Sequence, residues 1–253
     1  MTNQEILEIA LRQSAIDMGC APADFLCGEN KVVESRPHPQ ARKYLNLPFF
    51  CDMVSYGANI VASVDPRIAG FITDYMGRGS AAHCFETPKI HQLSEEFRQY
   101  GKSVCFMAEY FLPDSELRPL PCAYETRVLT QEDFTPLYTP EWSNALCEKR
   151  KQLDVLGVGA YDGGRLVGLA GCSADCDTMW QIGIDVLPEY RRRGIAAALT
   201  SRLAAEVFAR GKVPFYCAAW SNLPSVRNAL KSGFRPAWVE LTAIDTKQAM
   251  EYI

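Results

Sequence analysis

Apolar residues recur at helical spacing over Asn3–Met18, where Ile6, Leu7, Ile9, Ala10, Leu11 and Ile16 share roughly one face before Gly19. That pattern predicts an amphipathic helix. Asn59–Val64 reads as a strand, after which Asp65-Pro66 supplies a capping carboxylate and a first-turn proline for a helix through Tyr75, closing near Gly77. Thr87-Pro88 repeats the device, with Ile90, Leu93, Phe97 and Tyr100 on one side and Gly101 as the stop. Ser103–Leu112 reads as a buried strand. Leu112–Cys122 then concentrates Pro113, Pro119 and Pro121, and the predicted domain boundary lies there. The expectation is an amino-terminal α/β domain over 1–122 and a second domain over 123–253.

Beyond Tyr124 the pattern is more regular. Strands are predicted at Glu125–Leu129, Val155–Ala160, Leu166–Cys172, Trp180–Leu187, Pro214–Ala219 and Ala237–Ala243. Pro136 and Pro140 delay a helix to about Glu141–Lys151, and longer periodic segments predict helices at Arg192–Arg210 and Ser225–Ser232. Tyr161-Asp-Gly-Gly-Arg165 is a hairpin signal, because paired glycines permit the positive φ angles of a tight turn. Strands alternating with helices give an α/β class with a mixed sheet, and no internal repeat suggests a linear scaffold.

Composition narrows the picture. A chain of 253 residues, 48% apolar and 22% charged with net charge −4, is expected to fold as a globular protein without disulfide or metal support. The most apolar long run, Leu45–Val64, is broken by Pro48, Asp52 and Gly57, so no membrane span is expected. Glu5 and Glu8 stand where a secretory signal would be basic and apolar, and a cytoplasmic location is expected. Ten cysteines lie singly with no C-x-x-C pair, and the three histidines (His38, His83, His91) are not beside the close couple Cys172 and Cys176. No metal site is expected; the cysteines read as reduced, mostly buried thiols. The net acidity argues against nonspecific nucleic-acid binding.

The chemistry is concentrated at Ile184-Asp-Val-Leu-Pro-Glu-Tyr-Arg-Arg-Arg-Gly-Ile-Ala196. A strand halts at Pro188 and a helix begins within Arg191–Ala196, where Gly194 and Ala196 leave first-turn amides uncovered for a phosphate. Arg191, Arg192 and Arg193 face the positive end of the helix dipole, a conflict that a bound diphosphate would resolve. The plain alternative is a solvated basic helix start. Neither the dinucleotide nor the P-loop glycine spacing is present. Downstream, a strand delivers Asn222 to its carboxyl end, Pro224 suits a first helical turn, and Gly233-Phe234 ends that helix.

These two segments, Arg191-x-x-Gly194-x-Ala196 and Asn222 followed by Gly233-Phe234, resemble the acetyl-CoA binding motifs of the GNAT acyltransferase superfamily over about Tyr124 to Ala243. The resemblance implies a GNAT-like domain in which the strand backbone of Ile184, Asp185 and Val186 pairs with pantetheine. It also implies that the amides of Arg191, Arg192, Arg193, Gly194, Ile195 and Ala196 hold the diphosphate, and that Asn222 contacts the cofactor arm. The reaction implied is direct attack by a primary amine of a small molecule or peptide on the thioester, with acetyl-CoA as co-substrate. Two positions depart from the family: Ala229 stands where many members carry a tyrosine that protonates the thiolate, and Cys217 where some carry a glutamate base. Asn222, Ser225 and Asp185 are therefore the candidate catalytic residues, with Ser225 also readable as a capping residue and near the cofactor, and Asp185 as a residue on a polar edge.

Trp142, Trp180, Trp220, Tyr56, Tyr110 and Tyr124 are candidates for an acceptor pocket, though most are expected in the core. The amino-terminal domain could cover the acceptor, mediate a homodimer, or be a degenerate copy of the same fold. Two alternatives remain open: a CoA-responsive binding module without turnover, and a two-domain aminoacyl transferase.

Overall fold

The computed structural model describes residues 1–251. In chain order the elements are α1 (Asn3–Met18), β1 (Lys31–Glu34), β2 (Cys51–Ser55), β3 (Val61–Val64), α2 (Ala69–Met76), α3 (Thr87–Arg98), β4 (Lys102–Pro113), β5 (Glu125–Thr130), β6 (Asp154–Asp162), β7 (Arg165–Ser173), β8 (Met179–Val186), α4 (Ile195–Ala209), β9 (Val213–Ala219), α5 (Leu223–Lys231), β10 (Phe234–Asp245) and α6 (Thr246–Met250). No described helix is long and apolar enough to cross a membrane.

Two compact units result, one of residues 1–9 and 111–236, the other of 10–110 and 237–253. The expected boundary at 122/123 falls inside the first of these units. The carboxyl-terminal residues leave the second half because β10 pairs antiparallel with β2, Val239 opposite Ser55 and Ala243 opposite Cys51, which binds the end of the chain to the amino-terminal unit. Backbone pairing across a ladder outweighs proximity in sequence.

In the unit of 10–110 and 237–253, β1 runs parallel to β3, β3 antiparallel to β2, and β10 lies between β2 and β4. Met53, Ala62, Val64, Ile68, Ile72, Leu93, Phe97 and Leu241 form its core, to which α2 and α3 contribute. Asp65 caps the turn before α2 by accepting the Arg67 amide at 2.9 Å, as Asp65-Pro66 predicts. Sequence periodicity missed β1 and β2. β2 is buried at all five positions and so lacks the alternation that marks a half-exposed strand.

The other unit carries an antiparallel meander, β5 to β8, and β9 joins β8 in parallel, giving a mixed sheet. Gly163 and Gly164, both at positive φ, close the β6–β7 hairpin where the paired glycines predict it. One face is covered by α4, whose Ile195, Leu199, Leu203 and Val207 recur every fourth residue and pack with Val158, Ala170 and Ile182. The other face carries Phe134, Trp142, Leu146 and Leu169. Here the helix expected at 141–151 does not form; the segment makes short 3₁₀ turns at Pro140–Trp142 and Glu148–Leu153. The intervening backbone instead presses on the sheet, where a Cβ at Gly183 would lie 1.9 Å from the Asn144 carbonyl oxygen, and one at Gly171 would lie 2.2 Å from that of Ala145. Only glycine on the strands admits so close an approach.

Candidate functional site

Strands β8 and β9 pair only from Met179 opposite Val213 to Ile182 opposite Tyr216. Beyond that point β8 continues to Val186 against β7 alone while β9 continues to Ala219, so a wedge opens between them. The Leu187 amide donates to the Val167 carbonyl at 3.0 Å, which fixes the alternation: Gly183 and Asp185 direct their backbone groups to β7, Ile184 and Val186 to the wedge. Arg191 Nε caps the Val186 carbonyl at 3.1 Å. The Ile184 amide and carbonyl thus lie along an edge that an extended chain bearing amides can join.

At the mouth of the wedge a turn over Pro188–Tyr190 leads to Arg191 in extended backbone, Arg192 at φ +62° and Gly194 at φ +81°, and α4 begins at Ile195. Arg192 is the one non-glycine residue at positive φ among the described residues, a conformation that is strained by about 1–2 kcal/mol for an L-residue. Alternating left-handed residues turn successive amides toward one point, the concave arrangement that binds anions. The first intrahelical bond from the Ala198 amide goes to the Gly194 carbonyl at 3.1 Å, so the amides of Ile195, Ala196 and Ala197 precede the helical ladder. A Cβ at Gly194 would have no atom within 4 Å, which leaves the cradle open.

A groove of about 250 Å³ starts from this turn and runs between the first turn of α4 and α5. Arg191, Arg192, Arg227 and Lys231 line it, and the first turn of α4 has no acidic residue. Arg227 and Lys231 were not singled out in the sequence. Their signal was an i, i+4 pair of cations on a helix capped by Asn222, and only its packing beside α4 turns that pair toward the Arg192–Gly194 turn. The three arginines also separate. Arg193 does not line the groove: its guanidinium donates to Tyr124 Oη at 2.8 Å and the Glu189 carbonyl at 2.9 Å, and lies 5.1 Å from the Tyr190 ring. Its side chain buttresses the turn, unlike those of Arg191 and Arg192, which line the groove.

Asn222 caps α5, Oδ1 accepting the Ser225 amide at 3.3 Å. That relieves Ser225 of the capping role its position suggested. Ser225 Oγ instead lies 2.8 Å from Tyr216 Oη. Asn228, which lines the groove, donates to Thr200 Oγ1 at 3.0 Å. Burial pushes the Tyr216 phenol above its ordinary pKa, so it stays protonated.

Asp185 is engaged differently from a free base. Its carboxylate accepts the Asn144 and Ala145 amides at 2.8 and 2.9 Å and Asn144 Nδ2 at 2.7 Å, pinning the 140–146 segment to β8. Cys217 Sγ accepts from Gln181 Nε2 at 3.0 Å, linking β9 to β8. Ala229 is fully buried in the core under α4. Of the aromatic candidates, Trp142 is buried, Trp180 half-buried and Trp220 62% exposed, while Tyr56 and Tyr110 belong to the other unit, each stacked with Trp238. Among the described residues no group of three His, Cys, Asp or Glu side chains is placed to hold a metal ion.

Residues 123–234 match the family model for acetyltransferases of the GNAT family. No curated protein sequence matches the chain. Solved structures similar to it include a putative GNAT-family acetyltransferase from Novosphingobium aromaticivorans, 24% identical over 56% of this chain and 66% of that one, with a TM-score of 0.43. A GNAT-family acetyltransferase from Colwellia psychrerythraea is 16% identical over 56% and 57%, with a TM-score of 0.44. A putative acetyltransferase from Salmonella typhimurium, solved with its cofactor acetyl-CoA, is 17% identical over 49% and 94%, with a TM-score of 0.35. The chain thus spans less than two thirds of the length of the first two.

Proposed function

With residues 123–234 as a domain of the GNAT acetyltransferase family, we propose that the protein is an N-acetyltransferase that moves an acetyl group from acetyl-CoA to a primary amine of a small molecule or peptide by direct attack. The observation that carries this reading is the pairing of the strained turn at Arg192 and Gly194 with the wedge beyond Ile182 and Tyr216. Convergent amides beside Arg191 and Arg192 suit a diphosphate, while the free edge at Ile184 suits an amide-bearing arm. In this reading the α4 amides and Arg192 hold the diphosphate, and Arg227 and Lys231 meet the remaining phosphate of the nucleotide. Asp185 holds the 140–146 segment against β8, and Asn222 sets the start of α5 beside the arm. Ten cysteines, none of them in a disulfide, fit a reducing compartment, and we place the protein in the cytoplasm.

Isothermal titration of acetyl-CoA into the wild-type protein and an Arg192→Glu, Gly194→Glu double variant tests the cofactor site. Binding only by the wild type is expected; equal affinity in both removes the assignment.

The buried Ala229, with no hydroxyl to offer the sulfur, favours a second reading, a CoA-responsive module without turnover. Free-thiol release from acetyl-CoA across a broad panel of amines separates the two. Tight binding with no amine-dependent release would leave only the second.

A further inference from the structure

We infer that Tyr216 and Ser225 form a two-hydroxyl donor chain for the departing thiolate of CoA, with Ser225 touching the sulfur and Tyr216 positioning it. The inference rests on the acetyl-transfer reading above and gives that site the proton-bearing group missing at Ala229.

The placement is specific. Tyr216 is the last residue of β9 paired with β8, so it sits at the apex of the wedge. Its side chain is 3% exposed, whereas Ser225 is half-buried, so the pair leads from the core outward. The Oη to Oγ distance is 2.8 Å. Ser225 lies in the first turn of the nine-residue α5, where the helix favours negative charge, and its amide is already capped by Asn222. Each hydroxyl carries one proton. With Tyr216 donating to Ser225 Oγ, the serine proton is left for a group in the wedge, and a chain of two donors polarises each bond. Burial keeps Tyr216 a phenol, and its other titratable neighbours, Cys217 and Asp185, both act to raise rather than lower its pKa.

The step balances as follows. The amine nitrogen bonds to the thioester carbonyl carbon, and the nitrogen's proton passes to solvent. The carbon–sulfur bond then breaks with its electron pair going to sulfur. Ser225 Oγ–H donates a hydrogen bond to that sulfur while Tyr216 Oη–H donates to Ser225. CoA leaves as the thiolate, and no proton is permanently lost from either residue. A purely structural Tyr216–Ser225 bond would satisfy one buried and one half-buried hydroxyl and do nothing to the sulfur.

The test uses coenzyme A itself and needs no acceptor. The thiolate ultraviolet band of bound CoA is titrated against pH as a difference from the CoA-free protein, with CoA affinity measured by calorimetry on the same samples. In the wild type the bound thiol is expected to ionise about one pH unit below free CoA, a tenfold gain for the thiolate. Ser225→Ala abolishes the shift, Tyr216→Phe reduces it, and Ser225→Thr restores it, while CoA affinity at neutral pH, where the thiol is still mostly protonated, stays within about threefold of wild type. Identical titration in wild type and Ser225→Ala overturns the donor chain alone. Loss of CoA binding in Tyr216→Phe also overturns it, because the hydroxyl would then be holding the fold. Failure of the wild-type protein to bind CoA overturns the acetyl-transfer reading and this inference with it.

Discussion

A single methyl group at Gly194 separates the proposed phosphate role of the turn from its backbone strain. Gly194 has φ +81° and opens α4; Gly211 has φ +71° and closes the same helix. A Cβ at either position would meet no atom within 4 Å, so Gly→Ala introduces no clash at either end. Both substitutions therefore carry only the left-handed penalty of about 1–2 kcal/mol, and similar losses of stability are expected. Their effect on CoA differs. At Gly194 the methyl enters the cradle over the α4 amides and keeps a phosphate from closing on them. One lost charge-assisted hydrogen bond, about 1.5–3 kcal/mol, weakens binding roughly 10- to 150-fold. At Gly211 no loss is expected. Thermal melts followed by circular dichroism give the stability pair, and calorimetric titration with CoA gives the binding pair. Equal CoA affinities in the two variants, at matched stability, would refute the phosphate cradle.

Other consequences are open to direct measurement. Arg227→Glu with Lys231→Glu should weaken CoA at least tenfold yet leave dephospho-CoA nearly unchanged, because only the former carries the extra phosphate that a cationic groove rewards; competition binding at low and high salt checks both the ratio and its screening. Gly183→Ala should destabilise by about 3 kcal/mol or more, since its Cβ would stand 1.9 Å from the Asn144 carbonyl oxygen and the strand must shift; a urea midpoint well below that of Gly163→Ala, which meets nothing within 4 Å, is the expected result. Asp52 and Glu240, 1% and 5% exposed, have carboxyls pushed up first by burial; mutual repulsion adds to the rise at Asp52. The folded state then binds protons that the unfolded state has released, so their stabilisation is complete below about pH 4 and is lost as pH rises through the elevated pKa values. Glu240→Gln should flatten that decline in urea midpoints measured from pH 5 to 8, and an unchanged slope would contradict the assignment.

Much of the site was legible because its signals are local. Glycine at 194 and the arginines before it announce a helix start that wants an anion, and the paired glycines at 163 and 164 announce a hairpin, since positive φ is a property of single residues. Asn222 was legible for the same reason, as a cap followed by Pro224. Arg193 was misread because a basic run does not say which way each side chain turns; Tyr124, 69 residues away, decides that. Asp185 read as a candidate base, yet Asn144 and Ala145 claim its oxygens from a segment 40 residues earlier. The helix expected at 141–151 failed on the same ground, since backbone packing on Gly171 and Gly183 overrode local propensity.

By itself the sequence determined the mixed α/β character, the helix starts and hairpin of the 123–234 segment, and the glycine-bearing basic turn before α4, all set by short-range periodicity, capping and φ preference. Tertiary structure alone decided the rest: that the last strand joins β2 in the amino-terminal unit, that β8 and β9 part after Ile182 and Tyr216, and that Tyr216 meets Ser225. Each of those depends on pairing between residues distant in the chain, whose partners are chosen by ladder register and core packing and leave no local mark.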